Sequence, residues 1–563
     1  MALALLFCAF GPARAAPAPP TGPAPADATP SASELDLQEQ APPTRSRRVD
    51  LFAAPEAAPC PFAGSSLTFT LSTLDVQGST RLSNTDFAAA TRGLLGARVP
   101  VTAICKIRDR LGRALFRRGV LARVEAPPQT VSNGRLKLVV VEARIVAVHV
   151  HGEIGPARSK AEAMLDRLRG LTPFDLDTAQ RYLLLVNDIP GIRATAILRP
   201  SLASGGSDPG AVDLEVQLER TPIDEVTAVQ NTGSKALGRS SVLGRVDLDS
   251  FTALGEQTSL IVSATFDPRL QKIIEGIEQV HLGDGGVYGQ VSLVYGDSHP
   301  GSTLSALDLT GNSLVASAEL DMPLVRLERR SLTLATGFDV IDQTTLFPGG
   351  AVLTRDRLRV GWVRGTGSTI QRFGSWAVLQ TDLSMSFRLG LAGLGASSAG
   401  DPYLSRPAGR PNAWTARMES NQHLVLANIV DVGLHVQAQY ATVPLLAYEQ
   451  IALGNLTIGR GYDPDSVTGD YGVAGEATVG LLPVKLGRWA TVAPYGFFDA
   501  GTVNGRSIDS QWTTVRSYGG GFRMRLPYGV MADLYYAAPM DKPFPSALAK
   551  PSQRLIFQVA IAR

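Results

Sequence analysis

From Pro222 to Arg563 the chain alternates between apolar and polar side chains in runs broken by turns, and this pattern restricts the fold more than any other feature. Val432, Leu434, Val436, Ala438 and Tyr440 share one face, while Gly433, His435, Gln437 and Gln439 share the other. Gly520, Phe522, Met524 and Leu526 oppose Gly521, Arg523 and Arg525, and Leu555, Phe557, Val559 and Ile561 close the chain in the same rhythm. A period of two belongs to strands. An apolar face toward lipid and a polar face toward a lumen is the pattern of a transmembrane β-barrel, whose closure satisfies the sheet edges in lipid. A soluble β-sandwich alternates too, so the pattern alone leaves both architectures open. Beyond the extreme N-terminus there is no apolar run of about 18 residues, which argues against membrane-spanning helices. Charged residues make up only 18% and glycines number 56, a composition suited to short strands and turns. The net charge of +2 gives no footprint for nucleic acid.

The 563 residues are too many for one ordinary domain and suggest about three units. Ala2–Phe10 is a short apolar core, and Ala13-Arg14-Ala15 supplies a small-x-small cleavage pattern, so residues 1–15 read as a signal peptide. No basic residues precede that core, which leaves the true start and the cleavage site open. Residues 16–63 form a Pro/Ala-rich linker that cannot bury enough apolar surface to offset its ordering entropy. Within it, Ser33–Gln40 has the makings of a two-turn helix, capped by Ser31 or Ser33 and stopped by Pro42-Pro43, and a basic cluster follows at Arg45–Arg48. This stretch reads either as flexible linker or as a helix that occupies the barrel lumen at rest. Export into an oxidising periplasm makes Cys60 and Cys105 candidates for a disulfide, the alternative being two unrelated buried thiols.

Two modules of one pattern come next, over 64–143 and 144–221. The first reads as a strand at Leu67–Val76, a turn at Gly78, helices at Asp86–Leu95 and Val101–Arg118, and strands at Ala122–Ala126 and Leu136–Val141 joined by Ser132-Asn133-Gly134. The second reads as a strand at Ile145–Val150, helices near Lys160–Leu168 and Asp177–Leu185, and strands at Arg193–Leu198 and Ala211–Glu219. The expected fold is therefore α+β, two β-α-α-β-β modules, followed by an all-β unit over 222–563. At about ten membrane residues per strand, that unit accommodates about 16 antiparallel strands; 12 would leave long loops.

Near the C-terminal end, Gly459-Arg460-Gly461-Tyr462 is followed by Phe497-Phe498-Asp499-Ala500-Gly501. An arginine between glycines can sit on a loop that folds into a narrow cavity, where a wall aspartate would receive it by a charge-assisted hydrogen bond. The modules resemble polypeptide-transport-associated (POTRA) domains, at Val76-Gln77-Gly78-Ser79-Thr80 and at Arg117-Arg118-Gly119-Val120 before Pro127-Pro128-Gln129. From about Cys60 onward the chain resembles two-partner secretion transporters, the TpsB or ShlB/FhaC/HecB haemolysin secretion/activation family. The resemblance is carried also by Gln230-Asn231-Thr232-Gly233, Leu254-Gly255-Glu256-Gln257 and Tyr448-Glu449-Gln450-Ile451-Ala452-Leu453-Gly454.

That resemblance implies an outer-membrane translocator, not an enzyme, that exports an unfolded haemolysin- or adhesin-like exoprotein without nucleotide hydrolysis. It implies that Arg460 sits at the tip of an inward loop shaped by Gly459, Gly461 and Tyr462, and pairs with Asp499 on a wall motif that includes Phe497 and Gly501. It further implies a disulfide between Cys60 and Cys105. The partners expected are the exoprotein on the POTRA edges, outer-membrane lipid, and the barrel-assembly machinery during biogenesis. Two positions depart from the family's pattern: Ile458-Gly459 before the arginine, and Arg563 where many barrels end in an aromatic, which leaves Phe557 as the aromatic of the last strand. A BamA- or TamA-like insertase usually has more periplasmic modules, and a passive porin needs neither modules nor a glycine-flanked arginine. No cofactor is expected. His149 and His151 share a strand face without an evident third ligand, and Gly390–Gly400 has no basic anchor for a phosphate.

Overall fold

The computed structural model describes residues 28–40 and 59–563, apart from 80, 172–173, 202–207, 508–509, 544–546 and 548. The signal peptide expected at 1–15 and the basic cluster at Arg45–Arg48 lie outside the described residues.

In the first module, Thr73–Gln77 runs parallel to Arg135–Glu142, whose other edge takes Ala122–Glu125 antiparallel. Ser83 and Asp86 form a capping box at helix Asn84–Thr91, and Ser83's hydrogen bonds hold the Asp86 carboxyl below the usual range. In helix Ala103–Arg117, Ile107, Leu111 and Leu115 recur every fourth residue and are fully buried with Leu136 and Leu138. The strand expected over Leu67–Val76 is broken at Leu71. That residue is fully buried, its amide bonds Ala97 O at 3.1 Å, and the Ser72 amide bonds Gly134 O at 2.8 Å. The chain thereby leaves a short pairing of Thr68–Thr70 with Arg98–Pro100 and joins the main sheet. Gly134, at φ +71, could carry no side chain, because a Cβ would meet Thr70 O at 2.4 Å.

Cys60 and Cys105 are joined by a disulfide with Cα atoms 5.7 Å apart, closing a sequence separation of 45. In the chain-entropy picture such a loop stabilises its module by about 4 kcal/mol. Replacing both cysteines by serine is expected to lower hydrogen-exchange protection of the Leu111 and Leu115 amides by up to about a thousandfold in the intact protein; unchanged protection would show that the core holds without it.

The second module repeats the order. Its sheet runs Arg144–His151, Ala211–Arg220, Ile192–Pro200, covered by helices Arg158–Leu165 and Leu176–Asp188. The latter helix continues past the expected end at Leu185 because Asn187 is buried and used: its Nδ2 donates to Leu183 O at 2.8 Å, and the Ala194 amide donates to its Oδ1 at 2.9 Å. His151 pairs with Glu215 at 2.5 Å and His149 lies 3.9 Å from Asp213, so each histidine faces a carboxylate on the neighbouring strand.

Sixteen antiparallel strands, from Ile223–Gln230 to Arg554–Ala562, then close into a barrel, counting Tyr471–Leu481 with Val484–Leu486 as one because both pair with Ala490–Asn504. Leu260, Val262, Ile274, Val291, Leu293 and Val363 stand exposed on the outside, whereas Ser259, Ser263, Glu275 and Gln343 are buried within. Exposed aromatics mark both rims: Trp376, Trp489 and Tyr528 by the turns on the modules' side, Phe347, Tyr403 and Trp512 at the far end.

The inner face is not uniformly polar, as alternation predicts. Ile261, between Ser259 and Ser263, points inward with Leu243, Ile273, Ile277, Val294 and Ile341, and together they form a buried apolar wall. The wall is dry because Leu35 and Leu37 cover it. These belong to residues 28–40, which lie inside the barrel as two short helices, Ala32–Leu35 and Leu37–Gln40, the first with Ser31 and Glu34 as a capping box. Wall side chains bond the segment: Ser298 Oγ to Ala28 O at 2.6 Å, Gln343 Nε2 to Pro30 O at 2.9 Å, and Gln558 Nε2 to Gln40 O at 3.2 Å. Gly311 lets it come this close, since a Cβ there would lie 1.9 Å from Ala28 O.

The second module docks on the barrel's near rim through Lys160 to His281 O at 3.1 Å, Arg181 to Pro323 O at 2.9 Å, and a bidentate pair of Arg326 with Asp188 at 2.7 and 2.6 Å. Arg326→Ala is expected to cost this joint about 1 kcal/mol and broaden spin-label distances between module and barrel. A fourth contact, Arg167 with Asp284 at 2.8 Å, holds the Asp284 carboxyl below its ordinary value through that hydrogen bond. A depressed carboxyl contributes above its ordinary value and is lost as pH falls through the folded value. The same distances should therefore stay narrow at neutral pH and broaden only below about pH 4.

Candidate functional site

The chain between strands Val430–Ala441 and Tyr471–Leu481 folds back into the lumen instead of standing outside. It descends through a turn at Ala447–Glu449 and a short hairpin, Ile451–Leu453 with Val467–Gly469, to a tip at 454–466. Ile451, Leu453, Ile458, Tyr462 and Val467 bury themselves with Ala474, Val503 and Val515 of the wall. A loop that buries its own apolar residues this way has no cause to unfold into solvent.

At the tip, Gly459 takes φ +126, which only glycine adopts readily, and Gly461 passes so near the wall that a Cβ would meet Ser517 Cβ at 2.8 Å. Tyr462 is fully buried, its hydroxyl 2.9 Å from Arg516 O and accepting from the Asp541 amide at 3.0 Å. Gly501 leaves room for Leu453, whose Cδ1 would lie 2.8 Å from a Cβ.

Arg460 and Asp499 meet, but not as the motif implies. The Arg460 backbone amide donates to Asp499 Oδ2 at 2.7 Å, and Ser517 Oγ donates to the same oxygen at 2.8 Å. The guanidinium instead forms its ion pair with Glu476. The strand register explains the exchange. Glu476 and Asp499 are direct cross-strand partners, so the longer glutamate reaches the cation while the shorter aspartate ends at the backbone. The guanidinium also lies over Phe497 at 4.4 Å, with Tyr535 at 5.5 Å and Tyr495 at 5.8 Å, and Phe497 meets Tyr535 edge-on at 5.8 Å. An aromatic box favours a weakly hydrated planar cation, which is what arginine offers and lysine does not. Glu476, Ser517, Tyr495 and Tyr535 were not singled out from sequence. Glu476 had a signal: within Tyr471–Leu481 it is the only charged residue.

The loop's root is held separately. Glu449, nearly fully buried, accepts from Arg388 at 2.8 and 3.1 Å and from Arg417 at 2.7 Å, while Arg388 also bonds Asp339 at 2.9 Å. Asp470, fully buried, pairs with Arg406 and accepts from the amides of Arg506 at 2.6 Å and Leu445 at 3.0 Å. The N-terminal segment touches the tip as well: Asp465 accepts from Ser31 and, at 3.0 Å, from Ser33. Loop, wall and N-terminal segment are thus one connected obstruction in the lumen.

Solved structures share this fold. CdiB from Escherichia coli aligns with a TM-score of 0.69 at 18% identity over 95% of this chain and 96% of its own. CdiB from Acinetobacter baumannii gives 0.62 at 16% over 94% and 96%, and BamA from Haemophilus ducreyi lacking POTRA domains 1-3 gives 0.52 at 12% over 88% and 100%. No curated protein matches the chain significantly. The model of the ShlB-type POTRA domain matches residues 69–143, and that of the haemolysin secretion/activation protein ShlB/FhaC/HecB matches residues 208–524, more than half of the chain. The chain therefore belongs to the ShlB/FhaC/HecB haemolysin secretion/activation family, as a two-partner secretion transporter set in the outer membrane with POTRA modules in the periplasm.

Proposed function

We propose that this protein exports one unfolded, β-rich exoprotein of the haemolysin or adhesin kind from periplasm to cell surface, with no nucleotide hydrolysis. The observation that carries this reading is a closed barrel whose lumen is filled by two separable parts of its own chain, residues 28–40 and the inward loop, above two modules with free sheet edges. Ile192–Pro200 is one such edge, with Ile197 half exposed, and an extended client can add to it as a strand through backbone groups without a fixed sequence. The client then enters the lumen as segment and loop give way, and its folding outside biases the movement outward. In this reading Arg460, Glu476 and Asp499 set how firmly the loop tip is held, and Gly459, Gly461 and Tyr462 shape that tip.

Quantitative proteomics of medium, cell surface and outer membrane, with and without this gene, tests it. Loss of one large protein from medium or surface is the expected result. Depletion of many barrels would replace the reading by an insertase, and no change by a passive channel.

A further inference from the structure

The first module carries a basic groove that the site above does not use. Residues 64–143 hold twelve Arg and Lys against five Asp and Glu, in a chain whose total is +2. Four of these arginines, Arg92, Arg110, Arg113 and Arg117, line a groove of about 330 Å³ between helices Asn84–Thr91 and Ala103–Arg117. Its floor is Ala89, Ala90 and Ala114. Arg110 ties the helices together by donating to Ala90 O at 2.9 Å. Among the described residues the guanidiniums of Arg92, Arg113 and Arg117 make no ion pair, and the single acid of the lining, Asp86, is taken by Arg118 at 2.6 Å.

The N-terminal segment has the opposite imbalance. Residues 28–40 contain Glu34, Asp36 and Glu39 and no Lys or Arg, and among the described residues none of these carboxylates has a cation partner in the lumen. Their surroundings are acidic: Asp465 stands beside Glu34, Glu419 beside Asp36 and Glu39. His435 faces Glu39 but is itself paired with Glu419 at 3.2 Å. Glu34 is buried beside one carboxylate, and Asp36 and Glu39, though exposed in the lumen, face another; this like-charge crowding offsets part of what Leu35 and Leu37 gain against the apolar wall.

The tether joins the two. The segment ends at Gln40, and after residues 41–58, a reach of up to roughly 60 Å, the chain returns at Pro59. There Arg108 bonds Pro59 O at 3.5 Å, and Cys60 is covalently fixed to Cys105 on the helix that carries Arg110, Arg113 and Arg117. Arg113 lies about 12 Å along that helix from Cys105. A tether of this length keeps the segment within reach of the groove, so that their meeting is intramolecular.

We propose that the arginine groove of the first module is the receiving site for residues 28–40 once they leave the lumen, an intramolecular dock that holds the displaced segment clear of the pore. Its carboxylates pair with Arg92, Arg113 and Arg117, and Leu35 and Leu37 rest on the alanine floor. The proposal rests on the reading that the segment leaves the lumen during transport.

The test uses the full-length protein in its membrane with a photo-reactive residue at Gln38, and evicts the segment without any client. Gly311→Ala does so by placing a Cβ against Ala28 O, and a second variant, Leu35→Ser with Leu37→Ser, does so by giving up the apolar wall. Cross-links to helices Asn84–Thr91 and Ala103–Arg117 are expected in either variant. Adding R113E/R117E should lower them at least fivefold, and E34K/D36K/E39K should restore them in that background. Absence of groove cross-links from both eviction variants overturns the proposal, as does labelling that charge reversal leaves unchanged, for instance because the groove serves an acidic client stretch or lipid headgroups. Export of the exoprotein, followed in the same cells, separates the failures: export without groove labelling overturns the dock alone, whereas groove labelling without an exported protein overturns the transport reading alone.

Discussion

Replacing Arg460 by alanine is expected to cut export of the exoprotein at least tenfold while leaving a heat-modifiable barrel in the membrane. Strand pairing around the barrel does not involve this side chain, so closure survives. What is lost is the guanidinium between Glu476 and the face of Phe497. Removing one partner of a buried ion pair costs about 3–5 kcal/mol, because the other charge stays buried and uncompensated. Here two carboxylates are left facing each other, since Glu476 stands opposite Asp499. Arg460→Lys keeps the charge but loses the planar fork and much of the contact with the rings, so an intermediate loss is expected. Glu476→Gln should weaken export more than Asp499→Asn, whose amide oxygen can still accept from the Arg460 amide and Ser517. Secreted protein per unit of barrel is the measurement. Normal export from Arg460→Ala and Glu476→Gln together would take the pair out of the mechanism.

Glu449→Gln is expected to act at the opposite end of the loop and to open the pore. Glu449 neutralises Arg388 and Arg417 at once, so the substitution leaves two buried guanidiniums with only Asp339 between them. The cost again falls in the range of about 3–5 kcal/mol, and it is borne by the loop, because the arginines sit on wall strands fixed by their ladders. Single-channel conductance in planar bilayers should show longer open dwell, and cells should become sensitive to antibiotics too large for ordinary porins. A closed channel with normal dwell would show that the apolar contacts of Leu446 and Leu453 suffice to seat the root.

Much of this architecture was legible because two periodicities are strong. Alternation at Val432–Tyr440 and Gly520–Leu526 fixes which residues face outward from the barrel, and the count of strands follows from length. Fourfold spacing of Ile107, Leu111 and Leu115 does the same for the first module. The broken strand at Leu71 was not legible, since the break is imposed by Ala97 and Gly134, partners far along the chain. The site shows the same division. Glycines around Arg460 announce a tight loop locally, whereas the choice of Glu476 over Asp499 depends on cross-strand register, which no local pattern contains. Ile261, Ile273 and Ile277 read as ordinary strand residues, and only a filled lumen reveals why the inward positions are apolar.

That apolar wall gives the channel a preference about its own contents. Emptying the lumen would hand Leu35, Leu37 and the isoleucines facing them to water, at about 1.5–3 kcal/mol for each fully uncovered side chain. Uncovering the wall is thus costly, and on the proposed route a client that takes the segment's place on it would offset that cost. An incoming strand with apolar residues at every second position can take over the surface as the segment yields it, whereas a uniformly polar chain gains nothing there. On the proposed route, the inward side chains that residues 28–40 cover at rest would therefore favour a passenger whose apolar residues alternate.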